Sequence, residues 1–169
     1  IGTWEGGSTA AFNIFFSKSN IYGLDKTLRF KYKSKRINFS FCDVNNIYDL
    51  RRFSSKFNKN FFKIIIDDGS HILTEMISSL KFFFKYVEKG GFFIIEDFNA
   101  PIYFKSLNDS FDNELLMKDI FEKIKKKKFF KSKILSNIDQ RFLFNNISKI
   151  EIFKGKTSIS DIAFIQKIS

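Results

Sequence analysis

Two acidic stations, Asp67-Asp68-Gly69-Ser70-His71 and Glu96-Asp97, each end a run of isoleucines and phenylalanines, and Asp68 and Glu96 are 28 residues apart. That interval fits a strand, a covering helix and a second strand, with carboxylates at both strand ends. In open parallel α/β sheets, ligands bind beyond the carboxyl ends of the strands, which directs Asp68, His71, Glu96 and Asp97 to one crevice. Carboxylates and imidazole are groups for proton transfer and for holding hard cations.

The first residues supply a second kind of site. Ile1-Gly2-Thr3-Trp4-Glu5-Gly6-Gly7-Ser8 runs into Thr9-Ala10-Ala11-Phe12 as a turn that opens a helix, and glycine there lets backbone approach a ligand closely. The Gly-x-x-x-Gly-Gly spacing departs from the dinucleotide fingerprint and disfavours a nicotinamide cofactor. The next strand, Asn20-Ile21-Tyr22-Gly23-Leu24, ends in Asp25, where an acid commonly accepts hydrogen bonds from ribose hydroxyls. A further apolar segment ends in Phe41-Cys42-Asp43.

In order and spacing these segments resemble the class I S-adenosylmethionine-dependent methyltransferases over nearly the whole chain. The resemblance implies an α/β, Rossmann-like fold whose mostly parallel sheet closes with a C-terminal antiparallel hairpin. It gives the glycine loop, with Gly2, Gly6 and Ser8, to the methionine part of the cofactor, Asp25 to its ribose and Asp43 to its adenine. Within that superfamily, Ile65-Ile66-Asp67-Asp68-Gly69-Ser70-His71 followed by Gly90-Gly91-Phe92-Phe93-Ile94-Ile95-Glu96-Asp97 is similar to the metal-dependent sugar O-methyltransferases of macrolide tailoring, the mycinamicin type. In that group the acids matching Asp68, Glu96 and Asp97 hold magnesium, and the histidine matching His71 is the proposed base. The implied acceptor is a hydroxyl of a small molecule or saccharide. Catechol O-methyltransferases space their metal acids alike but carry lysine at the histidine position, so the resemblance points to a mechanism more sharply than to a substrate. Related proteins continue the first strand upstream, and the expectation is a single methyltransferase domain over residues 1–169, N-terminally truncated inside that strand.

Magnesium takes few carboxylates and leaves positions for water or substrate oxygens, which suits three acids. His71, three residues after Asp68, is placed to take an acceptor's proton. Asp67 is read as bonding the loop backbone or capping the next helix, and Trp4 and Glu5 as shaping their turn.

Composition narrows the class. At 169 residues with 44% apolar content and 25 phenylalanines, the chain suits one packed domain burying roughly two thirds of its unfolded surface. Its longest apolar runs fall short of a membrane span and no signal peptide stands at the start, so the expected setting is cytoplasmic. An oligomer is left open. Cys42 is the lone cysteine and reads as a small buried hydrophobe. The net charge is +11, and Lys123, Lys125, Lys126, Lys127, Lys128, Lys131 and Lys133 form a basic run. Without interleaved stacking aromatics this run reads as a solvated face, with no specific nucleic-acid partner expected. Two other readings are a nucleic-acid methyltransferase using this lysine-rich helix and a non-catalytic interaction domain of the same fold. The intact acids and His71 argue against the second.

Periodicity predicts helices at 8–17, 47–57, 72–87 and 113–128 and strands at 21–24, 37–42, 62–66, 92–95, 147–153 and 160–167. Gly90-Gly91 is expected to stop the third helix. Asn99-Ala100-Pro101 is expected in a loop that leads into a lid reaching Phe111. A turn at Lys154-Gly155-Lys156 joins the last two strands, and the stretch from Lys128 to Asn146 shows no readable pattern.

Overall fold

A computed structural model describes residues 1–27, 29–108 and 114–169. The chain divides into two compact units, Ile1–Lys56 and Phe57–Ser169.

In the first unit, α1 (Gly7–Phe15) leads to β1 (Ile21–Asp25), β2 (Ile37–Phe41) and α2 (Ile47–Ser54). The two strands pair in parallel from Ile21 opposite Ile37 to Asp25 opposite Phe41. Gly6 opens α1 with φ of 89°, a left-handed value that glycine adopts without strain. Gly23 is needed for a different reason, because a Cβ there would lie 2.5 Å from the Phe39 ring. That ring stacks on Phe30 at 3.4 Å. Arg36 closes the far end of α1: its guanidinium donates to the carbonyls of Asn13, Phe16 and Ser19, matching positive charge to the negative end of the helix dipole.

The second unit carries β3 (Phe62–Asp67), α3 (Leu73–Phe83), β4 (Val87–Ile95), α4 (Ala100–Tyr103), α5 (Met117–Lys125), α6 (Asn137–Asn146), β5 (Ile147–Phe153) and β6 (Ile162–Lys167). Its sheet has the order β3-β4-β6-β5. The β3–β4 pair is parallel, and β6 runs antiparallel to both β4 and β5. Leu73, Met76, Ile77, Leu80 and Phe83 fall on one stripe of α3 and are almost wholly buried, as helical spacing of apolar residues requires. Met117, Ile120, Phe121 and Ile124 do the same on α5. Strand alternation puts Ala163, Ile165 and Lys167 on the buried face of β6. Lys167 is tolerated there because its ammonium donates to Asn60 Oδ1 and the Val87 carbonyl, both at 2.8 Å. Burial holds its pKa below the ordinary lysine value.

The strand expectations hold to within two residues except for β4, which begins at Val87 and not at Phe92, and β5 has the expected bounds. The third helix is shorter than expected: α3 ends at Phe83, a 3₁₀ turn covers Phe84–Tyr86, and Val87 already belongs to β4. The two glycines therefore form no helix stop. They lie within β4, where the register moves from Phe62 opposite Val87 to Ile64 opposite Phe92. Gly90 has φ of 72°, and a Cβ on Gly91 would meet the Lys63 carbonyl at 2.5 Å, so the irregularity demands both. Pro101 is not in a loop but in the first turn of α4, where its missing N–H costs nothing. The expected lid reaches Phe111, and the expected fourth helix starts at Asn113, both outside the described residues. Within them that helix is α5. The lysine run sits at its C-terminal end and beyond, with Lys125 and Lys126 paired to Glu122 at 3.1 and 3.9 Å. Phe129 is half exposed, with its ring edge-on to Phe144.

The unreadable stretch contains α6, opened by a capping box in which Ser136 accepts the Asp139 amide and Asp139 accepts the Ser136 amide. Asp139 also pairs with Lys81 of α3 at 3.1 Å. Although its burial works the other way, these partners hold the Asp139 carboxyl below the usual value. Asp139→Asn should therefore cost about 0.3 to 1 kcal/mol, the usual worth of a negative charge in the first turn of a helix. A depressed carboxylate stabilises the fold fully above its unfolded pKa, 3.8, and loses that contribution as pH falls through the lower folded value. Melting curves of parent and variant should thus differ at neutral pH and converge below that range; a pH-independent gap would refute the assignment.

Candidate active site

In the first unit, the chain enters beside β1, with the Gly2 amide donating to the Leu24 carbonyl at 2.8 Å. Gly2 and Trp4 both have positive φ, 78° and 47°, so the backbone doubles back before α1. Asp25, just past the buried end of β1, holds this turn: Oδ2 accepts the Trp4 amide at 2.8 Å, and Oδ1 accepts the Thr27 amide at 2.8 Å and its hydroxyl at 3.1 Å. Burial alone would raise the Asp25 carboxyl, but these donors bring it below its ordinary value. Gly7 and Ser8 are exposed in the first turn of α1, where backbone N–H groups lack intrahelical partners and suit a carboxylate. Asp43 lies beyond β2, its Oδ1 accepting the Asn45 amide at 2.9 Å and its own amide donating to the buried Asp49. Cys42 is buried, and its thiol is pushed up to about 11 by burial, which leaves it unreactive at neutral pH.

In the second unit the two acidic stations leave adjacent parallel strands side by side. The Glu96 amide donates to the Asp67 carbonyl at 2.9 Å, extending the β3–β4 ladder to its last residue. Asp67 is buried and its carboxylate accepts the Gly69 amide; burial raises its pKa. This is the loop-bonding role expected of it. Asp68 is half-buried and His71 Nε2 lies 3.8 Å from its Oδ1. His71 and Asp97 have φ of 57° and 50°, left-handed values that cost a non-glycine residue about 1 to 3 kcal/mol each and that cluster at functional sites. Ser70 supports the turn: its hydroxyl donates to Glu75 in the first turn of α3 and accepts the Ile72 amide at 3.3 Å.

Electrostatics tie these groups together. Burial raises the Asp68 carboxyl, His71 draws it down and Asp97 raises it further. Burial also raises Glu96, with Asp68 and Asp97 adding to the effect and His71 opposing it. Asp68 and Glu96 thus feel the negative charge of their neighbours, a cost that a bound cation would relieve. The donor set is all oxygen and fits magnesium better than zinc. Among the described residues no three histidine, cysteine, aspartate or glutamate side chains already stand as a metal-holding group. No helix among the described residues is long and apolar enough to cross a membrane.

The sequence reading missed Thr27, which shares the Asp25 carboxylate, and Glu75, which anchors the His71 turn. A threonine two residues after a strand-end acid, and an acid opening α3, were the available signals.

No family model matches the chain. It is 36% identical over 94 residues to mycinamicin VI 2''-O-methyltransferase of Micromonospora griseorubida, and 35% identical over 94 residues to demethylmacrocin O-methyltransferase of Streptomyces fradiae. These matches cover 56% of the chain but 23% of each relative. MycE methyltransferase from the mycinamycin pathway, solved with Mg, SAH and mycinamycin VI, superposes with a TM-score of 0.75 at 25% identity, covering 98% of this chain and 41% of that one. The CurJ carbon methyltransferase shares the fold alone, at a TM-score of 0.57 and 11% identity over the whole chain. By fold and sequence, then, the chain is similar to class I S-adenosylmethionine-dependent methyltransferases and, among them, to the sugar O-methyltransferases of macrolide tailoring.

Proposed function

We propose that the protein is an S-adenosylmethionine-dependent O-methyltransferase that acts on a hydroxyl of a saccharide or other small molecule. The observation that carries this reading is the trio Asp68, Glu96 and Asp97 at the ends of two adjacent parallel strands, with Asp68 and Glu96 raised by burial and by their neighbours' charge and one histidine beside Asp68. Asp68, Glu96 and Asp97 would hold a divalent ion, Mg²⁺ in the MycE structure; such an ion acidifies a hydroxyl near it and neutralises the acids. His71 takes the acceptor's proton on its imidazole, and Asp68 at 3.8 Å stabilises the resulting cation. The acceptor oxygen then displaces the sulfonium sulfur from the methyl carbon, leaving S-adenosylhomocysteine. Orienting the two reactants supplies much of the acceleration.

For the cofactor we assign Gly2, Gly6 and Ser8 to the methionine part, Asp25 to the ribose and Asp43 to the adenine. Two supports are the doubled-back glycine turn and the strand-end placement of both acids. Asp25→Ala should weaken S-adenosylmethionine binding about 10- to 100-fold in calorimetry, from losing charge-assisted hydrogen bonds and the hold on the Trp4 turn. Parental affinity in that variant would refute the assignment. The function as a whole is tested by incubating the intact protein with S-adenosylmethionine, magnesium and a panel of deoxysugar glycosides, and following transfer by mass spectrometry. Methylation confined to protein or RNA substrates would overturn it.

A further inference from the structure

Beyond the strand ends, a buried polar cluster joins the loop after Asp97 to the β5–β6 hairpin. Asp161 precedes β6 and is 1% exposed. Its Oδ2 accepts Lys154 Nζ at 2.5 Å and Asn99 Nδ2 at 2.8 Å, and its Oδ1 accepts the Gly155 amide at 3.3 Å. Lys154 and Gly155 are local partners that a hairpin needs to close its turn, whose backbone is so tight that a Cβ on Gly155 would lie 2.0 Å from the Ser160 carbonyl. Asn99 is different. It lies 62 residues away in sequence, and its amide nitrogen also reaches the Ser158 carbonyl of the hairpin loop, at 3.5 Å.

Asn99 stands two residues after Asp97. It is 7% exposed, and its Oδ1 has no hydrogen-bond partner among the described residues. A carboxylate can only accept, so Asp161 fixes the amide with nitrogen inward and leaves the oxygen unsatisfied, which costs stability. Asn99 also makes no side-chain cap to α4. Around it the backbone is tightly tied: the Ala100 amide donates to the Asp97 carbonyl and the Ile102 amide to the Asn99 carbonyl, both at 2.9 Å. Phe98 and Ala100, on either side, are both 2% exposed. The turn holding Asp97 at positive φ is thus fixed through Asn99 to Asp161.

We infer that Asp161, acting through Asn99, is a positioning residue that holds the Glu96-Asp97 turn ready for a divalent ion. The inference rests on the metal-binding part of the proposed function. Groups that orient metal ligands from behind typically account for 10- to 100-fold in affinity.

The test titrates Mn²⁺ into the intact protein, reading the free ion by electron paramagnetic resonance, with S-adenosylhomocysteine affinity and melting temperature measured alongside. Asn99→Ala removes the link together with the unsatisfied oxygen, so its melting temperature should stay near the parental value while Mn²⁺ affinity falls at least about 10-fold and S-adenosylhomocysteine affinity is kept. Asp161→Asn should lose ion affinity likewise, and the double variant should lose no more than the larger single change. Parental Mn²⁺ affinity in folded Asn99→Ala overturns the inference while sparing the metal site; should Asp161→Asn fail to fold, Asn99→Ala decides alone. Equal losses of ion and cofactor affinity in Asn99→Ala also overturn it, because they mark a general structural role. Failure of the parent to bind Mn²⁺, or parental binding by Asp97→Asn, overturns the metal site and the inference together.

Discussion

His71→Ala should lower turnover about 10²- to 10⁴-fold, the usual worth of a general base, with S-adenosylhomocysteine affinity unchanged. The imidazole lies 3.8 Å from Asp68, the acid that would balance its charge after it takes a proton. Its backbone is held at φ 57° in a turn anchored by Ser70 and Glu75. That strained backbone raises a rival explanation, in which histidine is there to shape the turn. His71→Asn separates the two, because asparagine adopts left-handed conformations readily yet cannot serve as a base. The base role requires both variants to be slow. Full turnover in His71→Asn would leave histidine a conformational role only, and full turnover in both would remove it from the reaction.

The order of elements was legible because strands and helices here announce themselves by period. Leu73, Met76, Ile77 and Leu80 repeat at helical spacing, and Ile147–Phe153 lies between a helix and a turn. The acids of the site were legible for a related reason: a charged pair that ends a buried isoleucine run has to leave the sheet at its carboxyl edge. What failed was punctuation. Gly90-Gly91 carries the signature of a helix stop, yet the same freedom at positive φ serves a strand irregularity, and only the pairing of Phe62 with Val87 tells them apart. Pro101 marks a helix start as readily as a loop. The stretch before β5 was opaque because its order comes from polar residues. Gln140 bonds the Phe130 amide and carbonyl and the Leu135 carbonyl, and Ser136 and Asp139 cap α6. Partners such as Asn99 and Asp161, so far apart in sequence, leave no periodic trace at all.

Removing divalent ions should have the largest effect: excess chelator should abolish methyl transfer, and magnesium should restore it. The physical basis is the charge the acids place on one another. At neutral pH, Asp68, Glu96 and Asp97 crowd negative charge where burial already disfavours it, and both Asp68 and Glu96 are raised in consequence. A carboxylate with a raised folded pKa subtracts stability once pH exceeds that of the unfolded chain, the opposite sign to Asp139. Glu96→Gln removes one of those charges. In chelator it should therefore melt at or above the parental temperature, while in magnesium it should be inactive and gain none of the stabilisation that ion binding confers on the parent. A stability gain joined to lost activity is what a site kept for function at the expense of the fold should give. Full activity of the parent in excess chelator would sink the metal assignment. A Glu96→Gln protein that melts well below the parent in chelator would show that Glu96 supports the fold instead of waiting for an ion.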